Sequence, residues 1–173
     1  MKRTTILVIL FAIVIAVSCK KEKTTPQPPV ITFLTAQFSA DKSASLIKFE
    51  FFDANGDLGL QQEENKGEQQ YNIFVDYYEK ENGIWILKSP IIAEIPDLDE
   101  PSGFRSDTTI TNLRFPFLEN EDGSSLTGEA QIELFYNNFI QPLADTFRYE
   151  IYIKDRAFQN SNTIITEEMI VVN

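Results

Sequence analysis

The sequence contains no histidine and only one cysteine, Cys19. The lack of histidine excludes histidine-based catalytic triads, histidine general bases and zinc sites ligated by histidine. A single cysteine excludes an intrachain disulfide. Catalysis that does not use this thiol is therefore limited to carboxylate chemistry, as in a glycan hydrolase that places two acids across a cleft.

Basic residues are scarce: the chain has 15 lysines and arginines against 26 aspartates and glutamates, for a formal net charge of −11. Removal of residues 1–18 would take away Lys2 and Arg3 and no acid, so the remaining chain would be more negative still. A strongly negative surface repels phosphate backbones, and we therefore expect no nucleic-acid partner. Cations and basic partners are favoured.

Long apolar runs are also scarce, and the longest covers residues 6–17. As a helix it would span only about 18 Å of a hydrocarbon core of about 30 Å. The run follows Lys2 and Arg3 and precedes Ser18 and Cys19. A basic start, a short apolar core and small residues before a cut site are the three parts of a secretory signal peptide.

The segment Ala16-Val17-Ser18-Cys19 resembles the lipobox of bacterial lipoproteins, although leucine is usual where this chain has Ala16. The resemblance implies cleavage before Cys19, lipid on its thiol and attachment to a membrane. We therefore expect a lipoprotein signal peptide at 1–18 and a charged, proline-rich, lipidated tether at 19–29. The expected location is the bacterial cell envelope, most simply the outer membrane, on its periplasmic face or at the cell surface. An ordinary signal peptide followed by a free cysteine is the alternative.

Apolar and polar residues alternate in the rest of the chain, which indicates half-buried β-strands. The clearest strands are expected at 45–52, 71–77, 131–136 and 147–154, and weaker ones at 31–38, 84–88, 108–115 and 163–172. The dipeptide Asn82-Gly83 predicts a tight antiparallel hairpin. No stretch has sustained helical spacing, so we expect almost no helix.

Seven or eight such strands predict an all-β fold, a single antiparallel β-sandwich over residues 30–173. An eight-stranded β-barrel is the alternative, because alternation does not distinguish stacked from closed sheets. Longer loops are expected at about 53–70, 89–107 and 119–127, and loops carry most binding sites on rigid β scaffolds.

The segment after the strand at 45–52 offers candidate ligands for calcium. Asp53, Asn55 and Asp57 alternate with small or turn-forming residues, and Glu64 stands at position twelve of a loop that begins at Asp53. Hard cations such as calcium take oxygen ligands with this spacing. However, Leu58 replaces the glycine of an EF-hand loop and the flanking segment is a strand. The alternative is a tight turn in which Asp53 and Asn55 bind their own backbone.

Two segments together resemble the small lipoproteins of Bacteroidota. One is Asp-Ala-Asn-Gly-Asp-Leu-Gly at 53–59, and the other contains Asp155-Arg156-Ala157 and Asn160-Ser161-Asn162. The resemblance covers most of residues 1–173, and it implies an immunoglobulin-like sandwich behind a lipobox and no particular substrate. Arg156 is expected to pair with Asp155 or another acid while the Asn and Ser residues shape a turn, or else these residues share in a cation or ligand site.

The favoured function is a binding or accessory module of the cell envelope, anchored to the membrane through lipid on Cys19 and stabilised by calcium if the acidic loop binds it. Its partner would be an envelope protein, a peptide or a glycan. Trp85, Tyr78 and Phe104 are candidates for stacking on sugar rings, although a tryptophan within a strand, such as Trp85, is more often part of the core. The alternative function is a carboxylate-dependent glycan hydrolase.

Overall fold

A computed structural model describes residues 27–119, 124–135 and 145–171. The expected signal peptide, Cys19 and most of the expected tether lie outside these ranges. Within them the protein is all-β, with ten strands and one short 3-10 turn, Gly67–Gln69. The strands are β1 (Val30–Phe38), β2 (Ala44–Asp53), β3 (Ile73–Glu81), β4 (Ile84–Leu87), β5 (Ile91–Pro96), β6 (Phe104–Thr109), β7 (Leu126–Phe135), β8 (Thr146–Ile153), β9 (Ile164–Ile165) and β10 (Met169–Ile170).

Three antiparallel sheets contain these strands. The first has the order β1-β2-β7, the second has the order β10-β8-β3-β4 with β9 paired to β8, and the third is the hairpin β5-β6. None of the three closes on itself within the described residues, so the eight-stranded barrel is not the observed arrangement. The first two sheets contribute the buried side chains of one core, as expected of a β-sandwich.

Most of the core consists of the residues that the alternation placed on the inner faces, and Leu58 and Phe115 join it from loops. Ile47, Phe49 and Phe51 of β2 are buried, and so are Phe147, Tyr149, Ile151 and Ile153 of β8. Ile73, Val75 and Tyr77 supply the matching face of β3, and Ile132 and Leu134 that of β7. Burial of apolar surface on this scale stabilises the fold mainly through the hydrophobic effect.

The Asn82-Gly83 hairpin forms as expected. Asn82 has φ 50° and Gly83 has φ 82°, which are the positive angles of the tight turn that joins twisted antiparallel strands. Strands β3 and β4 pair on either side of it, with Glu81 opposite Ile84.

Three expectations about the strands are wrong. The segment 89–107, expected to be a loop, contains β5 and most of β6, which pair as a hairpin. The strand expected at 108–115 is instead β6, which ends at Thr109. The final segment, expected to form one strand, forms two strands of two residues each, β9 and β10.

The domain also begins earlier than expected. Pro29 is buried, and the backbone of Gln27 is hydrogen-bonded to the side chain of Asn55. Residues 27–29, which the sequence assigns to the tether, therefore lie against the domain. No helix among the described residues is both long enough and apolar enough to cross a membrane.

Candidate functional site

Asp53 closes the turn that follows β2. Its side chain is fully buried, Oδ1 accepts the Asn55 backbone N–H at 2.9 Å and Oδ2 accepts the Leu58 N–H at 2.7 Å. Both carboxylate oxygens are thus used by the backbone, which is the turn chemistry typical of aspartate. Asp53 shapes the turn as the alternative interpretation of this segment expects.

Asn55 and Glu64, two further members of the expected calcium set, point to other partners. Asn55 binds the backbone of Gln27. Glu64 Oε1 accepts Arg156 Nη2 at 2.8 Å, and Glu64 Oε2 accepts the Gln61 N–H at 2.7 Å. Burial raises the pKa of Glu64, but the Gln61 N–H and the Arg156 guanidinium outweigh it and hold this pKa below its usual value. Glu64 is thus the acid that pairs with Arg156. The sequence left open whether this acid would be Asp155 or another residue.

The turn after β2 and the turn after β8 lie against each other, and we call residues 53–60 together with 154–162 the turn end. The Arg156 backbone N–H donates to Asp57 O at 3.3 Å. Asp155 is 2% exposed, and its Oδ1 accepts the Gln159 N–H at 2.7 Å. The segments 53–59 and 155–162, which the sequence singles out, therefore form one structural unit.

The carboxylates of Asp57 and Asp155 are in an unfavourable setting at the turn end. Asp57 Oδ1 and Asp155 Oδ2 are buried and accept no hydrogen bond from the described residues. Burial, together with the negative charge of Asp53, raises the pKa of Asp57. Burial is also the main cause that raises the pKa of Asp155 to about 6, with smaller contributions from Asp57 and Asp53.

The four residues of the expected calcium site are therefore not brought together around one point. Within the described ranges, no group of three or more acidic or cysteine side chains is placed to hold a metal ion. Asp155, which the sequence did not include among the calcium ligands, has a buried carboxylate oxygen without a partner among the described residues. It lies far from Asp57 in sequence, and only its place in the Asp-Arg-Ala segment could have suggested it.

A second candidate site lies on the outer surface of the five-stranded sheet that contains β3, β4 and β8. Its half-buried side chains alternate along β3, β4 and β8 with the core residues, and we call this set the aromatic face: Phe74, Tyr78, Trp85 and Tyr152, with Asp76, Arg148 and Glu150. Phe74 pairs with Tyr152 across the strands, Asp76 with Glu150, and Tyr78 with Arg148. Of the two positions that the sequence left open for Trp85, the core position is wrong, because Trp85 lies half-buried on the outer surface of an edge strand.

Aromatic rings and cations alternate on this face. Phe74 and Tyr152 stack with ring centroids 4.8 Å apart and planes at 10°. The Arg148 guanidinium carbon lies 4.5 Å from the Trp85 ring centroid and 5.4 Å from that of Tyr78. Such contacts contribute about 0.5–1 kcal/mol each at exposed sites. They hold the rings in fixed positions on the sheet surface.

The two acids of the aromatic face differ in their partners. Glu150 Oε1 accepts Arg148 Nη2 at 2.6 Å. Asp76 receives no hydrogen bond from any residue that the structure describes. Burial, and then the charge of Glu150, raises the pKa of Asp76. Asp76 is therefore a partly exposed acceptor, set between two rows of rings, that is open to a ligand.

Phe104, the remaining aromatic candidate, lies in β6 and is 51% exposed. It belongs to the β5-β6 hairpin and not to the aromatic face. Comparison with protein families, with characterised proteins and with solved structures finds no match.

Proposed function

We propose that the protein is an exported, lipid-anchored module of the bacterial cell envelope, and that its aromatic face binds a glycan. The aromatic face carries this proposal. Large rings on an exposed sheet surface expose apolar area that a ligand can cover, and such surfaces more often serve binding than folding. The lipid anchor on Cys19 is supported by the lipobox resemblance.

The chemistry of the face suits a sugar. The flat apolar side of a sugar ring can stack on Trp85, Tyr78 or the Phe74–Tyr152 pair. Sugar hydroxyls can donate to Asp76 and accept from Arg148. From Phe74 to Lys80, strand β3 covers about 20 Å, which favours a chain of several sugar units over a single one.

The strand order supports a binding module of the immunoglobulin-like type. In such sandwiches strands A, B and E share one sheet, and C, F and G share the other. Taking β1, β2 and β7 as A, B and E, and β3, β8 and β10 as C, F and G, gives the same division here. This agreement concerns architecture alone, and the ligand is argued from the aromatic face.

The anchor would hold the domain close to the membrane. Because Gln27 is hydrogen-bonded to Asn55, the tether would consist only of residues 19–26, which span at most about 29 Å when extended. The turn end would then face the membrane.

Binding can be tested with the full chain in mild detergent against a panel of neutral, amino-sugar and uronic-acid polysaccharides, by calorimetry. We expect binding to neutral or amino-sugar polymers and weaker binding to uronic-acid polymers, because the protein is acidic. Trp85→Ala should weaken binding about tenfold, or about 1.4 kcal/mol. Phe104→Ala, which removes an exposed ring outside the aromatic face, should leave it unchanged. Equal losses in the two variants, or no binding across the panel, would contradict the proposal.

The anchor is tested separately by growing a bacterium that expresses the chain with labelled palmitate. The wild-type chain should carry label in the membrane fraction, and Cys19→Ser should not. Label on the variant, or none on the wild type, would rule out lipid on this cysteine.

A carboxylate-dependent glycan hydrolase is the second candidate, and the pairing of Asp76 with Glu150 favours it. Most glycoside hydrolases use two carboxyl groups, one of which has a raised pKa and acts as the general acid. The same polysaccharides should then yield new reducing ends over time, and Asp76→Asn should stop this. Binding without new reducing ends would contradict the hydrolase and support the binding module.

A further inference from the structure

The turn end contains two carboxylate oxygens whose hydrogen-bonding capacity is unused. Asp57 Oδ1 and Asp155 Oδ2 are both buried without a partner among the described residues. Nearly all buried polar groups in folded proteins have a partner, and an ionised group without one is costly. Asp155 is only 2% exposed, so bulk water does not relieve this cost.

The charge of Arg156 lowers the pKa of Asp57, but this does not outweigh burial and the charge of Asp53, which together raise it. Arg156 stands next to Asp155 in sequence, but its guanidinium is committed to Glu64 through two hydrogen bonds, of 2.8 and 3.1 Å. It also lies over the Phe117 ring at 5.5 Å. Asp53 is a third acid nearby, and its charge raises the pKa values of Asp57 and Asp155. It is fully buried and uses both carboxylate oxygens to hold the turn.

We propose that a calcium ion binds between Asp57 and Asp155 at the turn end, with main-chain carbonyls and water completing its coordination. Calcium takes hard oxygen ligands in flexible geometry, whereas magnesium demands a near-ideal octahedron and zinc favours histidine or thiolate. Asp53 is a positioning residue that holds the turn and adds charge. The ligand set keeps Asp57 from the sequence expectation and replaces Asn55 and Glu64 with Asp155.

Two carboxylates give a modest site. Extracellular calcium modules with few charged ligands bind at about 10⁻⁴–10⁻³ M, a range suited to an exported domain. The ion would link the turn after β2 to the turn after β8, and so stiffen the end at which the chain enters the sandwich. The site is separate from the aromatic face, so either proposal can fail without the other.

The test is thermal unfolding of the full chain in mild detergent, with calcium raised from a chelated solution to 10 mM and magnesium as the control ion. The wild type should gain about 5 °C or more in calcium, because an ion that binds only the folded state stabilises it. The same concentration of magnesium should give a smaller rise. A midpoint unmoved by calcium would overturn the proposal.

Variants separate this site from the expected one. Asp57→Asn and Asp155→Asn should abolish the calcium response, whereas Glu64→Gln should keep it although it loses the ion pair with Arg156. In chelator, Asp155→Asn should be at least as stable as the wild type, because a neutral amide replaces an uncompensated buried charge. If Asp155→Asn does not fold, Asp57→Asn alone tests the site, because Asp57 is only half-buried and its substitution is better tolerated. A calcium response retained in Asp57→Asn, or lost in Glu64→Gln, would contradict the assignment.

Discussion

The side-chain amide of Asn162 pairs with the backbone of Ile31 as a neighbouring strand would. Asn162 Oδ1 accepts the Ile31 N–H at 2.9 Å, and Asn162 Nδ2 donates to Ile31 O at 2.8 Å. Asn55 holds the backbone of Gln27 in the same manner. Each of the two turns of the turn end is therefore hydrogen-bonded to the start of the domain through a side-chain amide. Asparagine suits this task because its side chain carries the same donor and acceptor as a peptide group.

Asn162→Ala should destabilise the domain. The change removes both hydrogen bonds and leaves the polar backbone groups of Ile31, a residue only 2% exposed, without partners, which costs about 1–3 kcal/mol. Asn162→Asp keeps the acceptor and loses the donor, so its loss should be smaller. Urea unfolding measures both. Asn65→Ala, which removes one exposed hydrogen bond to Gln62, is the control and should change the free energy of unfolding little.

Gly59→Ala should be among the most damaging single changes to the turn end. Gly59 has φ +97°, and a Cβ added there would lie 2.3 Å from the carbonyl oxygen of Pro116. Backbone atoms cannot move aside as a flexible side chain can, so a loss above about 2 kcal/mol is expected from strain and overlap together. Gly67→Ala is the matched control, because Gly67 has φ +59° and no atom within 4 Å of the added Cβ. Equal losses from the two changes in urea unfolding would show that overlap with Pro116 is unimportant.

The strands that could be read from the sequence are those with one buried face. Ile47, Phe49 and Phe51 alternate with polar residues because one side of β2 meets the core and the other meets water. Strand β6 lacks this signal: its residues Phe104–Thr109 are mostly exposed on both sides, and backbone pairing with β5 holds them. Without a buried face, no alternation marks the strand.

The sites were harder to predict because their members are brought together by the fold. Asp155 and Asp57 come from turns after two different strands, and the pair Arg156–Glu64 joins positions 92 residues apart. The expectation that Trp85 more often belongs to the core was wrong for a related reason. Strand β4 lies at a sheet edge, where Ile84 and Ile86 are 64% and 38% exposed, so an apolar strand there does not imply a core position.

Arg114 should prove essential to the order of the segment 61–70. Its guanidinium donates to four backbone carbonyls, those of Gln61, Glu64, Gln69 and Gln70, at 2.8–3.0 Å. Lysine keeps the charge but lacks the planar fork, so Arg114→Lys should cost about 1–3 kcal/mol. Limited proteolysis should then cut faster within 61–70.

Arg105→Lys is the control for this change. Arg105 is 57% exposed, and its Nε lies 3.7 Å from Asp97. Exposed ion pairs of this kind contribute little, so urea unfolding and proteolysis should hardly change. Equal behaviour of the two variants would contradict the role of Arg114.

Asp41 should make stability depend on pH in the acid range. Donation from the Ser43 hydroxyl, the Ser43 backbone N–H and the Ser39 hydroxyl lowers its pKa from 3.8 to about 2. A lowered pKa means that the folded state favours the ionised form, so this contribution is present above about pH 4 and is lost as the pH falls toward 2. Asp41→Asn removes it. The urea midpoint of the wild type should therefore exceed that of Asp41→Asn at pH 6, and the gap should narrow between pH 4 and pH 2. In a Ser43→Ala background, which lacks the strongest donor to Asp41, the difference that Asp41→Asn makes should begin to narrow at a higher pH. A difference that stays constant between pH 4 and pH 2 would show that the turn does not favour the charged carboxylate.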